Sequence, residues 1–209
     1  TDLPTVAWLD FFSELSTHRV MSVSLCGGEP LMRRDFLTII DGIVANQMRF
    51  DLLTNGSLMT EAIACHLKAT GRCDMIQVSL DGSSAGIHEL PRGEGTFGPA
   101  LRAIRLLKEY ELPVTVRTTV HPGNIDDLPA LAALLLDDLG LQSFSTNAAS
   151  ALGSYGKYGQ DILLNPQQRL KAMKQLVDLE RRYPGRILAN AGPLADWKSL
   201  QAMVGARQT

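Results

Sequence analysis

The chain has 209 residues, of which 45% are hydrophobic and 20% charged, a composition typical of one globular domain with a core of ordinary size. Lys and Arg number 20 against 22 Asp and Glu, so the net charge of -2 provides no basic surface of the kind that nucleic acid requires. Apolar runs such as 131–136 are too short to cross a membrane and no signal peptide opens the sequence, so we expect a cytoplasmic protein without a nucleic acid or membrane partner.

The spacing of apolar residues changes back and forth between the helical and the strand period along most of the chain. The pattern predicts helices over 5–17, 33–47, 59–69, 97–110 and 125–139, and strands over 20–25, 49–54, 75–80, 114–120 and 142–147. A repeating α–β order indicates a parallel sheet with crossover helices, curled or closed into a barrel. The sequence therefore predicts the α/β class.

The first and last elements depart from this order. A βα architecture should open with a strand, whereas this sequence opens with a helix, and we expect the missing first strand to lie upstream in a longer natural chain. Near the end, Asn165-Pro166 predicts the start of a helix that runs toward Arg182. A strand over 186–191 and a short helix over 197–203 follow. We expect residues 1–150 to form the core and 151–209 a C-terminal helix–strand segment.

Two glycine-rich segments are predicted to be loops. They cover 82–98 and 153–159, and both are candidates for mobile lids over a pocket.

Polar residues occupy one face of several predicted strands, because successive side chains point to opposite sides. The polar faces consist of Ser22, Ser24 and Cys26, of Gln77, Ser79 and Asp81, of Thr115, Arg117 and Thr119, and of Ser143, Ser145 and Asn147. The helices must cover the apolar faces, so the polar faces turn inward. Leaving such groups unpaired in a core costs on the order of 1–3 kcal/mol each, so a polar ligand or ordered water should occupy the interior.

Four polar strings stand where strands end, which is where parallel α/β sheets bind ligands. They are Cys26–Pro30, Leu53–Gly56, Val78–Gly82 and Val116–Thr119. In the first string, two glycines expose the backbone and Glu29 is able to accept from an ammonium group. The planar fork of Arg117 suits a carboxylate, and Ser79 with Asp81 suits paired ribose hydroxyls. Together these groups describe a site for an amino-acid nucleoside.

Each string also has a purely structural interpretation. Gly27-Gly28-Glu29-Pro30 alone is compatible with a strand-to-helix turn, and Asn55-Gly56 and Asp81-Gly82 are common turn pairs. Arg117 alone is compatible with an ion pair to Asp81. The occurrence of all four strings in order, on consecutive strands, favours the ligand site.

The order GGEP, TNG, SLDG and RTT over residues 1–150 resembles the S-adenosylmethionine-binding core of radical SAM enzymes. The resemblance implies a partial (β/α)6 barrel. It also implies that Gly27, Gly28 and Glu29 hold the methionine amine, that Ser79 and Asp81 bind the ribose, and that Arg117 binds the carboxylate, with Thr54 and Asn55 lining the same pocket.

The cluster-binding CxxxCxxC loop of this family is absent from the sequence. Cys26, Cys65 and Cys73 have the wrong spacing to replace it, and their odd number favours reduced thiols, with Cys65 and Cys73 expected to be free and buried. The resemblance implies a [4Fe–4S] cluster whose ligands lie elsewhere in a full-length protein. We expect these residues alone to be inactive, with catalysis belonging to a longer protein or lost.

A finer resemblance concerns the branch of the family. The SPASM-type, peptide-maturing branch is resembled by a further set of residues: His88, Pro91-Arg92-Gly93, Thr96-Phe97, Arg117-Thr118-Thr119-Val120 and Asn124. This implies a ribosomally made peptide as substrate, hydrogen abstraction by a 5′-deoxyadenosyl radical, and an electron donor such as flavodoxin or ferredoxin. The alternatives are a small precursor of the molybdenum-cofactor or haem type, or a non-catalytic nucleoside- or peptide-binding module. No catalytic residue is predicted.

Overall fold

The computed structural model describes residues 2–150, 162–189 and 191–206. The helices are α1 (Thr5–Thr17), α2 (Phe36–Ala45), α3 (Glu61–Thr70), α4 (Ala85–Arg92), α5 (Phe97–Glu109), α6 (Leu128–Ala133), α7 (Pro166–Arg182) and α8 (Pro193–Ala206). The strands are β1 (Ser22–Leu25), β2 (Arg49–Thr54), β3 (Cys73–Ser79), β4 (Val114–Val120), β5 (Phe144–Ala148) and β6 (Ile187–Ala189).

The chain divides into two compact units, of which the first comprises residues 1–79 and 98–114. In this unit β1 pairs with β2 and β2 with β3, both in parallel register. The faces of β2 and β3 that carry Phe50, Leu52, Ile76 and Val78 are fully buried. Alternation of buried and partly exposed residues along β2 shows that one face of this sheet packs in the core while the other carries the more polar side chains.

The second unit comprises residues 80–97 and 115–209. Here β4 pairs with β5 and β5 with β6, again in parallel. The register places Arg117 beside Ser145 and Thr119 beside Asn147. Burial alternates along β4, so that Arg117 and its face neighbours are partly exposed while the opposite face lies in the core.

The predicted fold class is confirmed. Six parallel strands follow one another in the order β1 to β6, with a helix after each of the first five. Two strands, 49–54 and 114–120, have the predicted bounds. Whether a further strand precedes α1 in a longer chain stays a prediction, as do the boundaries of the core and the C-terminal segment.

One predicted loop is wrong. Residues 85–92 of the segment 82–98 form the helix α4, which contains Pro91 and buries His88. The other predicted lid, 153–159, lies outside the described residues. An eight-residue helix with a glycine and a proline has poor intrinsic propensity, so tertiary contacts of its side chains must stabilise it.

The prediction of two buried thiols is also wrong in part. Cys65 is exposed on α3 and Cys73 is partly exposed, although all three cysteines are free. Burial and the nearby Asp51 carboxylate raise the pKa of Cys73 to about 12. Among the described residues, no helix is both long and apolar enough to cross a membrane.

Candidate functional site

The glycine pair after β1 leaves its backbone open. Gly27 has a φ of +134°, a conformation that side chains disfavour, and a Cβ at Gly27 or Gly28 would meet no atom within 4 Å. Both residues are exposed. The strand therefore ends in a stretch of main chain that a ligand is able to approach closely.

The Glu29 carboxylate is held in place by three donors in the first unit. Its Oε1 accepts from the Thr54 hydroxyl at 2.7 Å and from the Leu31 N–H at 3.2 Å, and its Oε2 accepts from the Asn55 N–H at 2.7 Å. All three donors are neutral, so they orient the carboxylate without cancelling its charge. A partly exposed, oriented carboxylate of this kind suits a cationic group such as an ammonium.

The Asn55-Gly56 pair forms a turn and contributes to the site at the same time. The Asn55 side chain accepts from the Ser57 N–H at 2.8 Å, and Gly56 has a φ of +77° with Ala103 packed 3.0 Å from where a Cβ would lie. The turn is what directs the Asn55 N–H at Glu29. The structural and the functional interpretations of this dipeptide are therefore compatible.

The three remaining predicted positions lie on β3, on β4 and in the segment after β3. Ser79 ends β3 and is partly exposed. In the second unit, Arg117 lies on the partly exposed face of β4, with its Nε 3.5 Å from the Ser145 Oγ. Asp81 follows β3 and is completely buried.

Asp81 pairs with an arginine that the sequence did not single out as a site residue. Its Oδ2 accepts from the Arg92 Nε at 2.5 Å, and its Oδ1 accepts from the Thr119 N–H at 2.7 Å. The ion pair considered between Asp81 and Arg117 is thus formed by Arg92 instead. Arg92 belongs to α4, the helix that the loop prediction missed.

Buried polar side chains surround Asp81 in the second unit. His88 Nδ1 accepts the Asp81 N–H at 3.0 Å, and Asn124 Nδ2 donates to the carbonyl oxygens of Asp81 at 2.8 Å and Thr119 at 2.9 Å. Because desolvation disfavours the imidazolium, burial lowers the pKa of His88 to about 4. His88 is therefore neutral near pH 7 and serves as an acceptor at Nδ1.

Five buried polar atoms among the described residues of this unit lack a hydrogen-bond partner: Thr146 Oγ1, Gln175 Oε1, Glu180 Oε2, His121 Nε2 and Asn147 Oδ1. The last two lie directly after β4 and on β5. The polar pattern of β5 already indicated Asn147, since it shares a face with Ser145. His121 follows β4 directly, so the alternation of side chains along the strand does not predict its direction. Such orphaned groups are expected where a ligand or water binds.

The residues present suit S-adenosylmethionine but not an iron–sulfur cluster. An open glycine backbone with an oriented carboxylate fits an amine, and Arg117 fits a carboxylate. No group of three or more His, Cys, Asp or Glu side chains among the described residues is arranged to hold a metal ion. Each of these groups therefore suits the amino-acid part of S-adenosylmethionine by its own chemistry, whereas the described residues do not suit a cluster.

Comparisons with known proteins identify the family of the chain. The profile of the Radical SAM superfamily matches residues 4–135. The mycofactocin maturase MftC of Mycolicibacterium smegmatis is 34% identical over 134 residues, which cover 64% of this chain and 34% of that protein. The PqqA peptide cyclase of Granulibacter bethesdensis is 33% identical over 131 residues, covering 62% of this chain and 35% of the relative.

Solved structures share the fold. Streptococcus suis SuiB bound to the precursor peptide SuiA superposes with a TM-score of 0.74 at 14% identity, over 91% of this chain and 43% of SuiB. The chain spans about a third of the length of the curated relatives it matches. Since the family profile covers more than half of the chain, these 209 residues belong to the radical SAM superfamily.

Proposed function

We propose that the chain is the S-adenosylmethionine-binding core of a longer radical SAM enzyme that modifies a ribosomally made peptide. The observation that carries the proposal is the oriented Glu29 carboxylate beside an open glycine backbone, in a chain of this family. The peptide as substrate is supported by the relatives, because one is a peptide cyclase and another is solved with its precursor peptide.

The proposed binding roles follow the chemistry of each side chain. Gly27, Gly28 and Glu29 bind the methionine amine, and Thr54 and Asn55 hold the Glu29 carboxylate toward it. The carboxylate of S-adenosylmethionine binds the guanidinium fork of Arg117.

The ribose of the cofactor binds at the carboxyl end of β3. Ser79 offers a hydroxyl at the end of β3, and Asp81 follows it.

When bound, S-adenosylmethionine would accept one electron from the cluster of the longer protein and break its C5′–S bond, which would supply methionine and a 5′-deoxyadenosyl radical for hydrogen abstraction. The contribution of the described residues is to bind and orient the nucleoside. The ligands of a [4Fe–4S] cluster would come from other parts of a longer protein, and a small cytoplasmic electron carrier such as flavodoxin or ferredoxin would reduce it. The 209 residues alone are expected to be inactive.

The test is anaerobic reconstitution of the longest natural polypeptide that contains these residues. Electron paramagnetic resonance should show a reduced [4Fe–4S] cluster, and 5′-deoxyadenosine should form in the presence of reductant and S-adenosylmethionine. Binding of iron and sulfide without 5′-deoxyadenosine formation would contradict the enzymatic proposal and favour a binding module.

The peptide requires a separate measurement. Mass spectrometry of a co-expressed precursor peptide encoded beside the gene should show a mass change that depends on Glu29. A change in a small metabolite, with the peptide unaltered, would favour the alternative of a small precursor.

A further inference from the structure

Asp81 has no surface that a ligand is able to reach. Its side chain is completely buried, whereas the Arg92 side chain is 20% exposed. Both carboxylate oxygens accept hydrogen bonds, one from Arg92 and one from the Thr119 N–H. To reach the carboxylate, a ribose hydroxyl would have to displace the groups that cover it, and disturbing a buried ion pair is strongly unfavourable.

The main chain of Asp81 is occupied as well. Its N–H donates to His88 Nδ1 and its carbonyl oxygen accepts from Asn124 Nδ2. Asn124 is itself completely buried, and its Oδ1 accepts from the His121 N–H at 2.9 Å. The Asp81 carboxylate and main chain are thus held by three side chains and one main-chain N–H of the second unit.

These contacts connect Asp81 to the end of β4. The Leu80 N–H donates to the Arg117 carbonyl at 3.1 Å, and the Thr118 hydroxyl donates to the Leu80 carbonyl at 2.8 Å. One residue further on, the Thr119 N–H reaches the Asp81 carboxylate. Residues 80 and 81 therefore hold the chain from the Arg117 carbonyl to the Thr119 N–H, directly after the Arg117 side chain. Among the described residues, the guanidinium of Arg117 has only a long contact to Ser145 at 3.5 Å.

We propose that Asp81 is a positioning residue, which fixes the end of β4 and so directs Arg117 at the S-adenosylmethionine carboxylate, without touching the ribose. Arg92 neutralises the Asp81 charge and keeps its carboxylate in place. This inference rests on the proposed function, because it assigns Arg117 to the cofactor carboxylate.

Two nucleosides distinguish a positioning role of Asp81 from a direct contact with the ribose. S-adenosylmethionine carries the ribose, the amine and the carboxylate, whereas 5′-methylthioadenosine carries the same ribose and adenine without the amino-acid group. A residue that touches the ribose should matter for both ligands. A residue that acts through Arg117 should matter for S-adenosylmethionine alone.

The experiment measures dissociation constants of both nucleosides for the reconstituted longest natural polypeptide containing this chain. Asp81→Asn should raise the dissociation constant of S-adenosylmethionine by about tenfold, the lower end of the range for a hydrogen bond to a charged group. The dissociation constant of 5′-methylthioadenosine should change by less than about twofold. Arg117→Ala should show the same selectivity. The double variant should be no weaker than Arg117→Ala, because both act on one contact.

Ser79→Ala provides the matched control, since its proposed ribose contact predicts equal weakening of both nucleosides. Arg92→Gln should reproduce the selective loss of Asp81→Asn, and it carries the test if Asp81→Asn fails to fold. A general loss of structure would weaken both ligands and would be visible in the thermal melt.

Equal weakening of both nucleosides by a folded Asp81→Asn, or no weakening of either, would overturn the inference. Additive losses in the double variant would overturn it too. If the wild-type protein binds neither nucleoside, the proposed function itself fails, and the wild-type measurement alone reveals that outcome.

Discussion

Acidification should destabilise the second unit through His88. Its imidazole is 1% exposed and accepts the Asp81 N–H, so protonation would place an unpaired charge in the core and remove the acceptor. Burial is the largest cause of the lowered pKa of His88. The Arg92 charge lowers this pKa further, while the charges of Asp81 and Glu89 raise it. The folded pKa of about 4 lies below the ordinary value of 6.5. Stability from this group is therefore complete above about pH 6.5 and is lost as the pH falls toward 4.

The size of the effect follows from linkage. At pH 5 the unfolded imidazole is almost fully protonated, whereas the folded one, with a pKa of about 4, is protonated to about a tenth. The difference lowers the free energy of unfolding by about 2 kcal/mol at pH 5, against about 0.2 kcal/mol at pH 7.

The assay is urea unfolding of the wild type and of His88→Asn at both pH values. The Asn amide oxygen is able to accept the Asp81 N–H from a position near that of Nδ1 but does not titrate, so the variant should lose about 2 kcal/mol less than the wild type on acidification. The pKa of His121 is also lowered by burial, and its contribution cancels in this comparison. Equal losses in the two proteins, or a His88 Cε1–H resonance that titrates near pH 6.5, would refute the reasoning.

Three further changes test other parts of the structure. Gly82→Ala would place a Cβ 2.7 Å from the His88 main-chain nitrogen and should lower the free energy of unfolding by about 1–3 kcal/mol. Gly86→Ala, within the helix α4 that follows Gly82, meets nothing within 4 Å and should raise it by up to about 1 kcal/mol. Similar urea midpoints of the two variants would contradict this. Thr54→Val removes the hydroxyl bound to Glu29 and should weaken S-adenosylmethionine binding by about 1 kcal/mol in equilibrium dialysis. Thr54→Ser keeps the hydroxyl and should retain the affinity, so equal losses in the two variants would show that the hydroxyl is dispensable. Because its pKa is about 12, Cys73 should resist iodoacetamide at pH 8 while the two exposed cysteines react, and mass spectrometry of labelled peptides would reveal any early modification of Cys73.

The sequence predicted the elements that depend on local periodicity. Strand 114–120 alternates polar and β-branched residues over its whole length, and helix 5–17 carries a regular apolar stripe, so both have the predicted bounds. Helix α4 has neither signal. Gly86 and Pro91 weaken its propensity, and it is stabilised by contacts that are distant in sequence, such as Arg92 with Asp81.

The strand-face argument was reliable only as far as the strand extends. Alternation grouped Asp81 with Ser79, but β3 ends at Ser79, so the direction of the Asp81 side chain is set by the connection that follows. The same limit applies to His121, which comes one residue after β4. The positions of these side chains depend on a turn and on Asn124, which periodicity does not describe.

The two motif carboxylates illustrate how burial separates a binding role from a positioning role. Glu29 is partly exposed and accepts only neutral donors in its described contacts, so its charge remains available to a cation. Asp81 is completely buried and paired with Arg92, so its charge is already neutralised. A ligand ammonium or hydroxyl gains from the first without displacing a protein group, whereas at the second it would have to break a desolvated ion pair. A motif match assigns both carboxylates to the cofactor, whereas their environments support the proposal that Glu29 binds it and Asp81 positions Arg117.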